Sequence, residues 1–346
     1  GGAMIGQEAR ASGFNIMLAG GVNLVREPRN GRNFEYAGED PLLAGKMVGA
    51  QIKGIQSNNI VSTLKHFAMN NQETGRNFGN VIIDEKAART SELMAFHLAL
   101  KDGNPGSVMC AYNKVNGFYS CESDFLLNKV LKGDWGFEGY VMSDWGGTHS
   151  TIPAINNGLD QQSAYGFDKA FYFGPAFAEA IENGWIPQAR LDDMVRRVLR
   201  SLFANGVFDN PVKPDAPIDF VAHGKVTQAA AENGMVLLKN ANDILPLAKT
   251  TKKIAIIGNG RLVGAPLTRM WRNSGYDVTV FDCSSHDTAA RLPEFDVIVT
   301  ATGVPGLVNA AAVKNGAVVI DAGTAAEHGK IVGDVSVDVR ERDDIT

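Results

Sequence analysis

The sequence has few cysteines, no excess of positive charge and no long apolar run. Its three cysteines, Cys110, Cys121 and Cys283, match neither a CxxC metal motif nor a disulfide framework. We therefore predict no metal site, buried free thiols and a reducing, cytoplasmic compartment. The net charge of −5 argues against a nucleic-acid or anionic-membrane surface. No segment approaches the ~20 consecutive apolar residues that span a bilayer, which argues against a membrane protein.

The two ends lack the features of complete termini. The chain opens with Gly1-Gly2-Ala3-Met4, without an initiator methionine or the basic and apolar segments of a signal peptide. It stops at Thr346, directly after a strand-like segment. We therefore expect a sequence that is cut at both ends.

The sequence contains alternating strand and helix patterns. Its length of 346 residues suits about two domains of ~150 residues, although a β/α barrel alone takes ~250. Over residues 14–200 this alternation is typical of a parallel sheet or barrel. The predicted strands are 14–18, 61–67, 107–112, 140–143 and a short one near residue 159. The predicted helices are 42–56, 84–101, 122–132, 177–182 and 191–204.

The second half has a more regular strand spacing. A proline-punctuated linker over 205–222 and a helix over about 224–239 lead to strands predicted at 254–257, 278–281, 297–300 and 318–321. This spacing of about 20 residues is typical of a small doubly wound sheet. We predict an α/β protein, an incomplete (β/α)8 TIM-like barrel followed by a Rossmann-like doubly wound parallel sheet. The predicted domains are a barrel over 1–210, a linker and connecting helix over 211–252, and the sheet over 253–346.

Polar residues follow four successive strands of the first half. In a barrel, such positions all open onto the C-terminal face, where these folds carry out their chemistry. The residues are Arg26 and Arg32, Lys65 and His66, Tyr112 and Asn113, and Asp144 and Trp145. One such residue alone indicates little, but four strand ends in succession predict a site.

These motifs resemble those of family 3 glycoside hydrolases, the β-glucosidase family. The resemblance continues to about residue 247 and rests on RNGRNFEY at 29–36, KHF at 65–67, NNQE at 70–73, YNKVNG at 112–117 and SDW at 143–145. It implies retaining hydrolysis of β-linked glucosides or oligosaccharides, in which Asp144 attacks the anomeric carbon and forms a covalent glycosyl-enzyme. Such hydrolysis requires no cofactor.

The resemblance also implies roles for the residues around Asp144. Arg32, Lys65, His66 and Arg76 match the clamp that binds sugar hydroxyls, and we expect these groups to lower the pKa of Asp144. Tyr112 matches a tyrosine that approaches the nucleophile, and Trp145 offers an aromatic platform to a sugar face. Simpler interpretations stay open: Asp144 as a helix cap, His66 as a core histidine, and Arg32 and Arg76 as structural ion pairs.

Three parts of the family pattern have no match. The family barrel has two further βα units before Phe14, including a strand-end aspartate that grips the sugar. Its acid/base carboxylate usually comes from a second domain, and no residue here matches it. In one variant of the family, a histidine on the loop after the Lys-His pair transfers the proton. The corresponding segment here, Ala68-Met69-Asn70-Asn71, contains no histidine. We therefore expect hydrolysis to be impaired, unless a partner subunit completes the site.

A glycine-rich loop opens the second half. Gly258, Gly260 and Gly264 follow a predicted strand and precede a helix, with Arg261 between them and Asp282 at the end of the next strand. Glycines let backbone N–H groups approach a pyrophosphate, and an acidic residue at Asp282 would bind the ribose hydroxyls. The alternative is that these glycines serve only tight turns.

This half resembles the cofactor domain of methylenetetrahydrofolate dehydrogenase/cyclohydrolase. The matching blocks are GRLVGAPL at 260–267, TATGVPG at 300–306, GAVVIDAG at 316–323 and VGDV at 332–335. The resemblance implies NAD(P) binding, and the carboxylate of Asp282 favours NAD because it repels a 2′-phosphate. The family's catalytic lysine and folate pocket have no counterpart.

The two families do not normally share a chain, so we interpret the sequence as a truncated chimera, natural or engineered. The main prediction is a β-glucosidase-like hydrolase. The alternatives are a nucleotide-binding or oxidoreductase module on a barrel scaffold, and an inactive recombinant fold. Because an incomplete barrel leaves strand edges unpaired, we also expect copies of the chain to associate as a homo-oligomer.

Overall fold

The chain forms two units in a computed structural model that describes residues 1–240, 243, 245–247, 250, 251 and 253–345. Unit 1 is Gly1–Met235 and unit 2 is Val236–Thr346. Both combine parallel sheets with helices, so the α/β class is confirmed. Several residues of the predicted linker, 241, 242, 244, 248, 249 and 252, lie outside the described residues.

Unit 1 is built on a parallel sheet of four strands in the order β1-β2-β4-β7. The sheet does not close into a barrel. The strands of unit 1 are β1 (Ile16–Met17), β2 (Val61–Phe67), β3 (Asn80–Val81), β4 (Ser107–Cys110), β5 (Lys114–Val115), β6 (Phe118–Tyr119) and β7 (Tyr140–Ser143). β3, β5 and β6 form a separate small sheet. The strand predicted near Leu159 is present only as a single bridge from Gln161 to Met142 on β7.

The helices of unit 1 contribute buried residues to its cores, except the last of them, in which no residue is buried. They are α1 (Gly2–Ala11), α2 (Pro41–Gln56), α3 (Glu85–Thr90), α4 (Glu92–Gly103), a π-helix (Phe125–Asp134), α5 (Ile152–Asn156), α6 (Pro175–Glu182), α7 (Gln188–Ala204) and α8 (Phe220–Gly234). α2 begins where the Asp40 carboxylate accepts a hydrogen bond from the Leu43 amide. Its buried face packs with α4 over a core that includes Ile52, Leu64 and Phe96.

Three helix predictions differ from the structure. The helix predicted over about 224–239 lies four to five residues earlier, at Phe220–Gly234. The helix predicted over 84–101 is interrupted at Ser91, whose φ of −128° and ψ of −91° are not helical. The helix predicted over 122–132 begins later, at Phe125, and is a π-helix. α1 lies in a segment for which the sequence predicted no element.

A disulfide joins Cys110, at the end of β4, to Cys121. Both residues are fully buried, whereas Cys283 is exposed and free. The prediction of three buried thiols is therefore wrong. Spacing along the chain missed the pair because a reverse turn between β5 and β6 brings the two cysteines together. The reducing, cytoplasmic compartment was predicted from free thiols, so the disulfide removes the support for it.

Unit 2 has a four-stranded parallel sheet in the order β11-β10-β8-β9, as the strand spacing predicts. Its strands are β8 (Lys253–Ile257), β9 (Asp277–Phe281), β10 (Val297–Thr300), β11 (Val318–Asp321), β12 (Ala325–Glu327) and β13 (Lys330–Val332). Its helices are α9 (Gly264–Asn273), α10 (Thr288–Arg291) and α11 (Val337–Arg340). β12 and β13 form a separate antiparallel pair.

Two carboxylates tie together the loops at the C-terminal edge of this sheet. Asp334 is fully buried and accepts hydrogen bonds from the amides of Thr302 and Val304 at 2.7 and 2.8 Å. Asp321, at the end of β11, accepts hydrogen bonds from the amides of Asp334 and Val335. These bonds satisfy backbone donors that lie beyond the ends of the strands.

Neither a membrane span nor a metal cluster is found in the part of the chain that the structure describes. None of its helices combines the length and the apolar character that a bilayer crossing requires. Among the same residues, no three or more His, Cys, Asp or Glu side chains are grouped as metal ligands.

The last strand of the unit 1 sheet is held by a buried carboxylate. The Asp160 side chain is fully buried, and its Oδ2 accepts a hydrogen bond from the Val141 amide on β7 at 2.7 Å. Its Oδ1 pairs with Lys132 Nζ at 2.8 Å and with Arg190 at 2.6 Å. Burial lowers the pKa of Lys132 to about 8, and the nearby Asp160 carboxylate opposes that shift.

Asp160→Ala should destabilise unit 1 strongly, because it removes one ion pair from each of two buried cations and the hydrogen bond of one strand amide. The free energy of unfolding, measured with urea, is expected to fall by about 3–5 kcal/mol. Asp102→Ala is the control, since it breaks the half-exposed pair with Lys46 and should cost less than about 1 kcal/mol. Equal losses in the two variants would contradict this account.

Candidate active site

Asp144 directly follows β7 and lies at the C-terminal edge of the unit 1 sheet. Its amide donates to the Cys110 carbonyl oxygen at 3.3 Å, which ties the residue to the end of β4. The carboxylate is buried, and its Oδ1 accepts a hydrogen bond from the Trp145 amide at 2.8 Å. Oδ2 has no hydrogen-bond partner among the described residues. One oxygen therefore orients the carboxylate, and the other is left with free lone pairs.

The pKa of Asp144 is raised above its ordinary value of 3.8, opposite to the shift that the sequence predicted. Burial is the main cause, because it penalises the charged carboxylate. The Trp145 amide, the nearby Tyr112 hydroxyl and the charges of Arg76 and Arg32 all act to lower the pKa. The predicted cationic effect is thus present, but desolvation outweighs it.

The two predicted clamp arginines share one carboxylate. Arg32 pairs with Glu35, and its Nη1 lies 3.8 Å from Glu73 Oε1. Arg76 Nη1 lies 2.5 Å from Glu73 Oε2, and its guanidinium stacks 4.3 Å from the centre of the Tyr112 ring. The ion pairs that were kept as an alternative are therefore present. Both arginines nevertheless act electrostatically on Asp144, which places them beside the same site.

Lys65 and His66 lie near the end of β2, on the strand next to β4. Burial lowers the pKa of Lys65, while the charge of Glu35 acts to raise it. His66 is almost fully buried, and its Nε2 lies 3.7 Å from Asp144 Oδ2. Burial, followed by the charges of Arg32 and Lys65, holds the pKa of His66 well below its ordinary value of 6.5. The imidazole facing Asp144 is therefore neutral at neutral pH.

Tyr112 and Trp145 complete the predicted set. The Tyr112 hydroxyl donates to the Trp145 carbonyl oxygen at 2.7 Å, and burial raises the pKa of this tyrosine. The Trp145 side chain is 49% exposed and stacks on Phe167, with ring centres 5.5 Å apart. The indole is thus accessible to a ring placed against it, as a platform requires.

Sequence reasoning missed several residues of this site. Asn23 binds the His66 backbone at both its amide and its carbonyl, at 2.9 and 3.0 Å. The Tyr36 hydroxyl lies 3.1 Å from His66 Nδ1. Tyr36 and Glu35 belong to the RNGRNFEY block, which is the signal that could have identified them. Arg26, in contrast, pairs with the buried Glu92.

The predicted dinucleotide loop of unit 2 follows β8 and leads into α9. Gly258 has a φ of +100°, and a Cβ there would lie 2.6 Å from the Ala301 carbonyl oxygen. A Cβ at Gly264 would collide with the Gly258 carbonyl oxygen. A Cβ at Gly260 would meet nothing within 4 Å, and Arg261 beside it is exposed. The fold therefore requires glycine at two of the three positions.

Asp282 follows β9, as predicted, and is exposed. Its carboxylate accepts hydrogen bonds from the Ser284 hydroxyl at 2.6 Å and the Ser284 amide at 2.9 Å. These bonds lower the pKa of Asp282. The residue also lines a cavity of about 450 Å³ together with Asn259, Arg269 and Arg272. An ionised carboxylate is thus present at the end of the second strand of this sheet.

Comparison with known proteins relates the two halves to two different families. The Glycosyl hydrolase family 3 N terminal domain matches residues 1–201, and the Tetrahydrofolate dehydrogenase/cyclohydrolase, NAD(P)-binding domain matches residues 229–344. Beta-glucosidase B of Emericella nidulans is 42% identical over 271 residues, which are 75% of this chain and 31% of that protein. Thermostable beta-glucosidase B of Acetivibrio thermocellus is 38% identical over 297 residues, which are 85% of this chain and 36% of that protein.

Solved structures show the same relationship. The structure of beta-glucosidase 3B from Thermotoga neapolitana in complex with alpha-D-glucose matches with a TM-score of 0.76 and 30% identity. That match covers 87% of this chain and 49% of the solved chain. The present chain therefore spans about a third to a half of the length of these relatives.

Asp144→Asn should leave the protein at least as stable as the wild type at pH 7. A folded-state pKa above the unfolded value means that ionising this carboxyl costs stability, and the cost is complete above the folded pKa. The neutral amide removes that cost, so the Tm should not fall and is expected to rise. The difference in Tm between Asp144→Asn and the wild type should shrink below pH 3.8, where the wild-type carboxyl is protonated in the folded and the unfolded state.

Asp102→Asn provides a matched control, because it makes the same chemical change in a half-exposed ion pair. Its effect on the Tm at pH 7 should be small. If the Tm of Asp144→Asn is clearly below that of the wild type at pH 7, ionisation of the buried Asp144 carboxyl does not cost stability.

Proposed function

This chain belongs to glycosyl hydrolase family 3, and on that premise we propose that it hydrolyses β-linked glucosides or oligosaccharides with Asp144 as the nucleophile. The observation that supports the proposal is the state of the Asp144 carboxylate. It is buried, oriented through Oδ1, and unpartnered at Oδ2 within the described part of the chain. A helix-capping aspartate would instead use its oxygens on the amides of the following helix.

The proposed reaction is retaining and has two steps. A lone pair of the Asp144 carboxylate attacks the anomeric carbon, and the bond to the leaving oxygen breaks with its electron pair on that oxygen. Water then attacks the same carbon, releases the carboxylate and passes its proton to the solvent. The burial of Asp144 favours the first step, because a poorly solvated carboxylate gains more when its charge is dispersed.

The surrounding residues are proposed to bind the sugar rather than to react. Hydroxyl groups of the substrate would accept hydrogen bonds from the cationic side chains, and one face of the sugar ring would pack against the exposed indole. The residues proposed for this binding are Arg32, Lys65, His66, Arg76, Tyr112 and Trp145. The pairing of Glu73 with both arginines keeps their guanidinium planes in place before the substrate arrives.

We further propose that hydrolysis depends strongly on the leaving group. A retaining glycosidase needs a second carboxyl ~5–5.5 Å from the nucleophile to protonate the leaving oxygen. Glu35 and Glu73, the carboxylates beside the clamp, are both paired with Arg32 already, so neither is assigned as that second carboxyl. Activated aryl glucosides, whose phenolate leaves without a proton, are therefore the expected substrates. Alkyl glucosides should react more slowly by about 10²–10⁴-fold, the usual contribution of general acid catalysis.

The test uses a dinitrophenyl 2-deoxy-2-fluoro-β-glucoside, which forms a glycosyl-enzyme but hydrolyses it slowly. We expect the protein mass to increase by one fluoroglucosyl group, located on Asp144 by peptide mass spectrometry. Asp144→Asn should form no adduct and lose more than about 10³-fold in turnover of the unfluorinated aryl glucoside.

Asp102→Asn should keep both the adduct and the turnover, since this aspartate pairs with Lys46 on the surface. A protein that turns over no aryl β-glucoside and forms no adduct would refute the glycosidase proposal. It would favour the alternative of an inactive chimeric fold.

A second candidate function, binding of NAD or NADP by unit 2, is supported by Gly260. Gly258 and Gly264 are explained by the turn itself, but neither steric contact nor a positive φ requires glycine at 260. A ligand that approaches the backbone there would require it. Bound NAD would supply hydride chemistry; Gly258, Gly260, Arg261 and Gly264 would lie along its pyrophosphate and Asp282 would accept from its ribose hydroxyls.

Gly260→Ala should weaken NAD binding by about tenfold or more while the Tm stays unchanged. Gly264→Ala should instead lower the Tm, because its Cβ collides with the Gly258 carbonyl oxygen. Isothermal calorimetry with NAD and NADP measures both affinities, and NAD should bind more tightly because Asp282 repels a 2′-phosphate. If the wild type binds neither nucleotide at millimolar concentration, the glycines serve only the turn.

The domain division and the association of copies are also proposed. We propose the barrel domain over 1–210, the connecting segment over 211–252 and the nucleotide domain over 253–346. The open sheet of unit 1 ends in β1 on one side and β7 on the other. Edges of this kind favour pairing with another copy of the chain, which supports a homo-oligomer.

A further inference from the structure

Tyr36 lies behind His66, on the side away from Asp144. Tyr36 is buried, at 8% exposure, and its hydroxyl oxygen lies 3.1 Å from His66 Nδ1. The two rings meet edge to face, with an interplanar angle of 88°. Asn23 holds the His66 backbone from both sides, so the imidazole is fixed between Tyr36 and Asp144.

The contact between Tyr36 and His66 has two possible proton arrangements. In one, the Tyr36 hydroxyl donates to Nδ1, and the imidazole proton resides on Nε2. In the other, Nδ1 donates to the Tyr36 oxygen, and the phenolic proton has no acceptor among the described residues. A buried donor without an acceptor is costly, so the first arrangement is favoured.

The position of Asp144 leads to the same arrangement. His66 Nε2 lies 3.7 Å from Asp144 Oδ2, and that oxygen accepts no hydrogen bond within the described part of the chain. An Nε2–H directs positive charge toward the carboxylate, whereas a lone pair on Nε2 would be repelled by it. The two neighbours of the imidazole, one on each nitrogen, therefore select the same tautomer.

The 3.7 Å separation is too long for a direct hydrogen bond but suits a shared hydroxyl. An oxygen about 2.9 Å from Nε2 and about 2.7 Å from Oδ2 would make two hydrogen bonds of ordinary length. A hydroxyl placed there would accept from Nε2–H and donate to Oδ2. If both atoms were acceptors, its single proton would satisfy only one of them.

We propose that Tyr36 is a positioning residue that holds His66 as the Nε2–H tautomer, so that His66 and Asp144 together bind one hydroxyl of the substrate. This inference rests on the proposed glycosidase function. It adds to that site Tyr36, a residue that does not touch the substrate. It also adds a criterion for substrates, which must carry a hydroxyl that reaches both His66 Nε2 and Asp144 Oδ2.

The first test is spectroscopic and needs no activity. Two-bond ¹H–¹⁵N correlation of the ¹⁵N-histidine-labelled full chain, assigned with His66→Gln, should show Nε2 protonated and Nδ1 as a hydrogen-bonded acceptor. In Tyr36→Phe the Nδ1 signal should move toward the shift of an acceptor without a hydrogen bond. Tyr276→Phe, which removes a hydroxyl in unit 2, should leave the His66 signals unchanged. A wild-type His66 that carries its proton on Nδ1 would overturn the proposal.

The second test uses turnover. Tyr36→Phe should lower kcat/KM for an aryl β-glucoside by about tenfold, the effect of one hydrogen bond of about 1.4 kcal/mol. For the one monodeoxyglucoside that lacks the shared hydroxyl, the same substitution should have almost no effect. An equal loss for the parent and for every monodeoxyglucoside would refute the shared hydroxyl.

The two proposals fail in distinguishable ways. If no glycosyl adduct forms while His66 shows the expected tautomer, the glycosidase function falls and the Tyr36 contact stands as a structural one. If the adduct forms and the tautomer is the other one, the hydrolysis proposal stands and the role of Tyr36 is refuted.

Discussion

The carboxylate of Asp160 is the contact on which the geometry of unit 1 most depends. It joins β7 to the π-helix and to α7, because one side chain binds the Val141 amide, Lys132 and Arg190. β7 is the last strand of an open sheet, and only its β4 side is paired along its length. Asp144 directly follows that strand. Its position is therefore set by the ion pairs of Asp160 as well as by the backbone hydrogen bonds between β7 and β4.

The same physical trade-off, burial against pairing, determines the electrostatics around Asp144. Three cationic groups lie near the carboxylate, yet its pKa is raised, since desolvation exceeds their attraction. Lys65 is shifted in the complementary direction for the same reason. The balance leaves the Asp144 carboxylate poorly solvated.

Much of the fold was predictable from the sequence, since strand patterns are local. β2, β7, β10 and β11 have the predicted bounds, because short apolar runs flanked by turn residues report strands directly. The break at Ser91 and the Cys110–Cys121 disulfide were not predictable in the same way. The apolar periodicity around Ser91 continues through the break, and a disulfide requires a turn geometry that spacing alone does not reveal.

In the candidate site, too, some features follow from local sequence and others depend on contacts between separate segments. Asp144, Lys65 and His66 stand at strand ends, so the topology of a parallel sheet places them on one edge, and the sequence pattern sufficed to find them. Tyr36 and Asn23 act on His66 through contacts that link residues 30 and 43 positions apart. Contacts of this kind produce no periodic pattern in the sequence from which they could be predicted. The sign of the Asp144 pKa shift was missed for a related reason, because charge is visible in a sequence and burial is not.

Two families coexist in one chain because each unit buries its own apolar residues. The largest core cluster of unit 1 contains Leu64 and Phe96, and the sheet of unit 2 packs around residues such as Ile256 and Ile298. Among the described residues, these clusters are made of side chains from one unit each, so local motifs specify the packing of either sheet. Catalytic completeness follows a different rule. A retaining site needs two carboxyls on one sugar, so the contacts within one sheet do not by themselves specify a complete reaction.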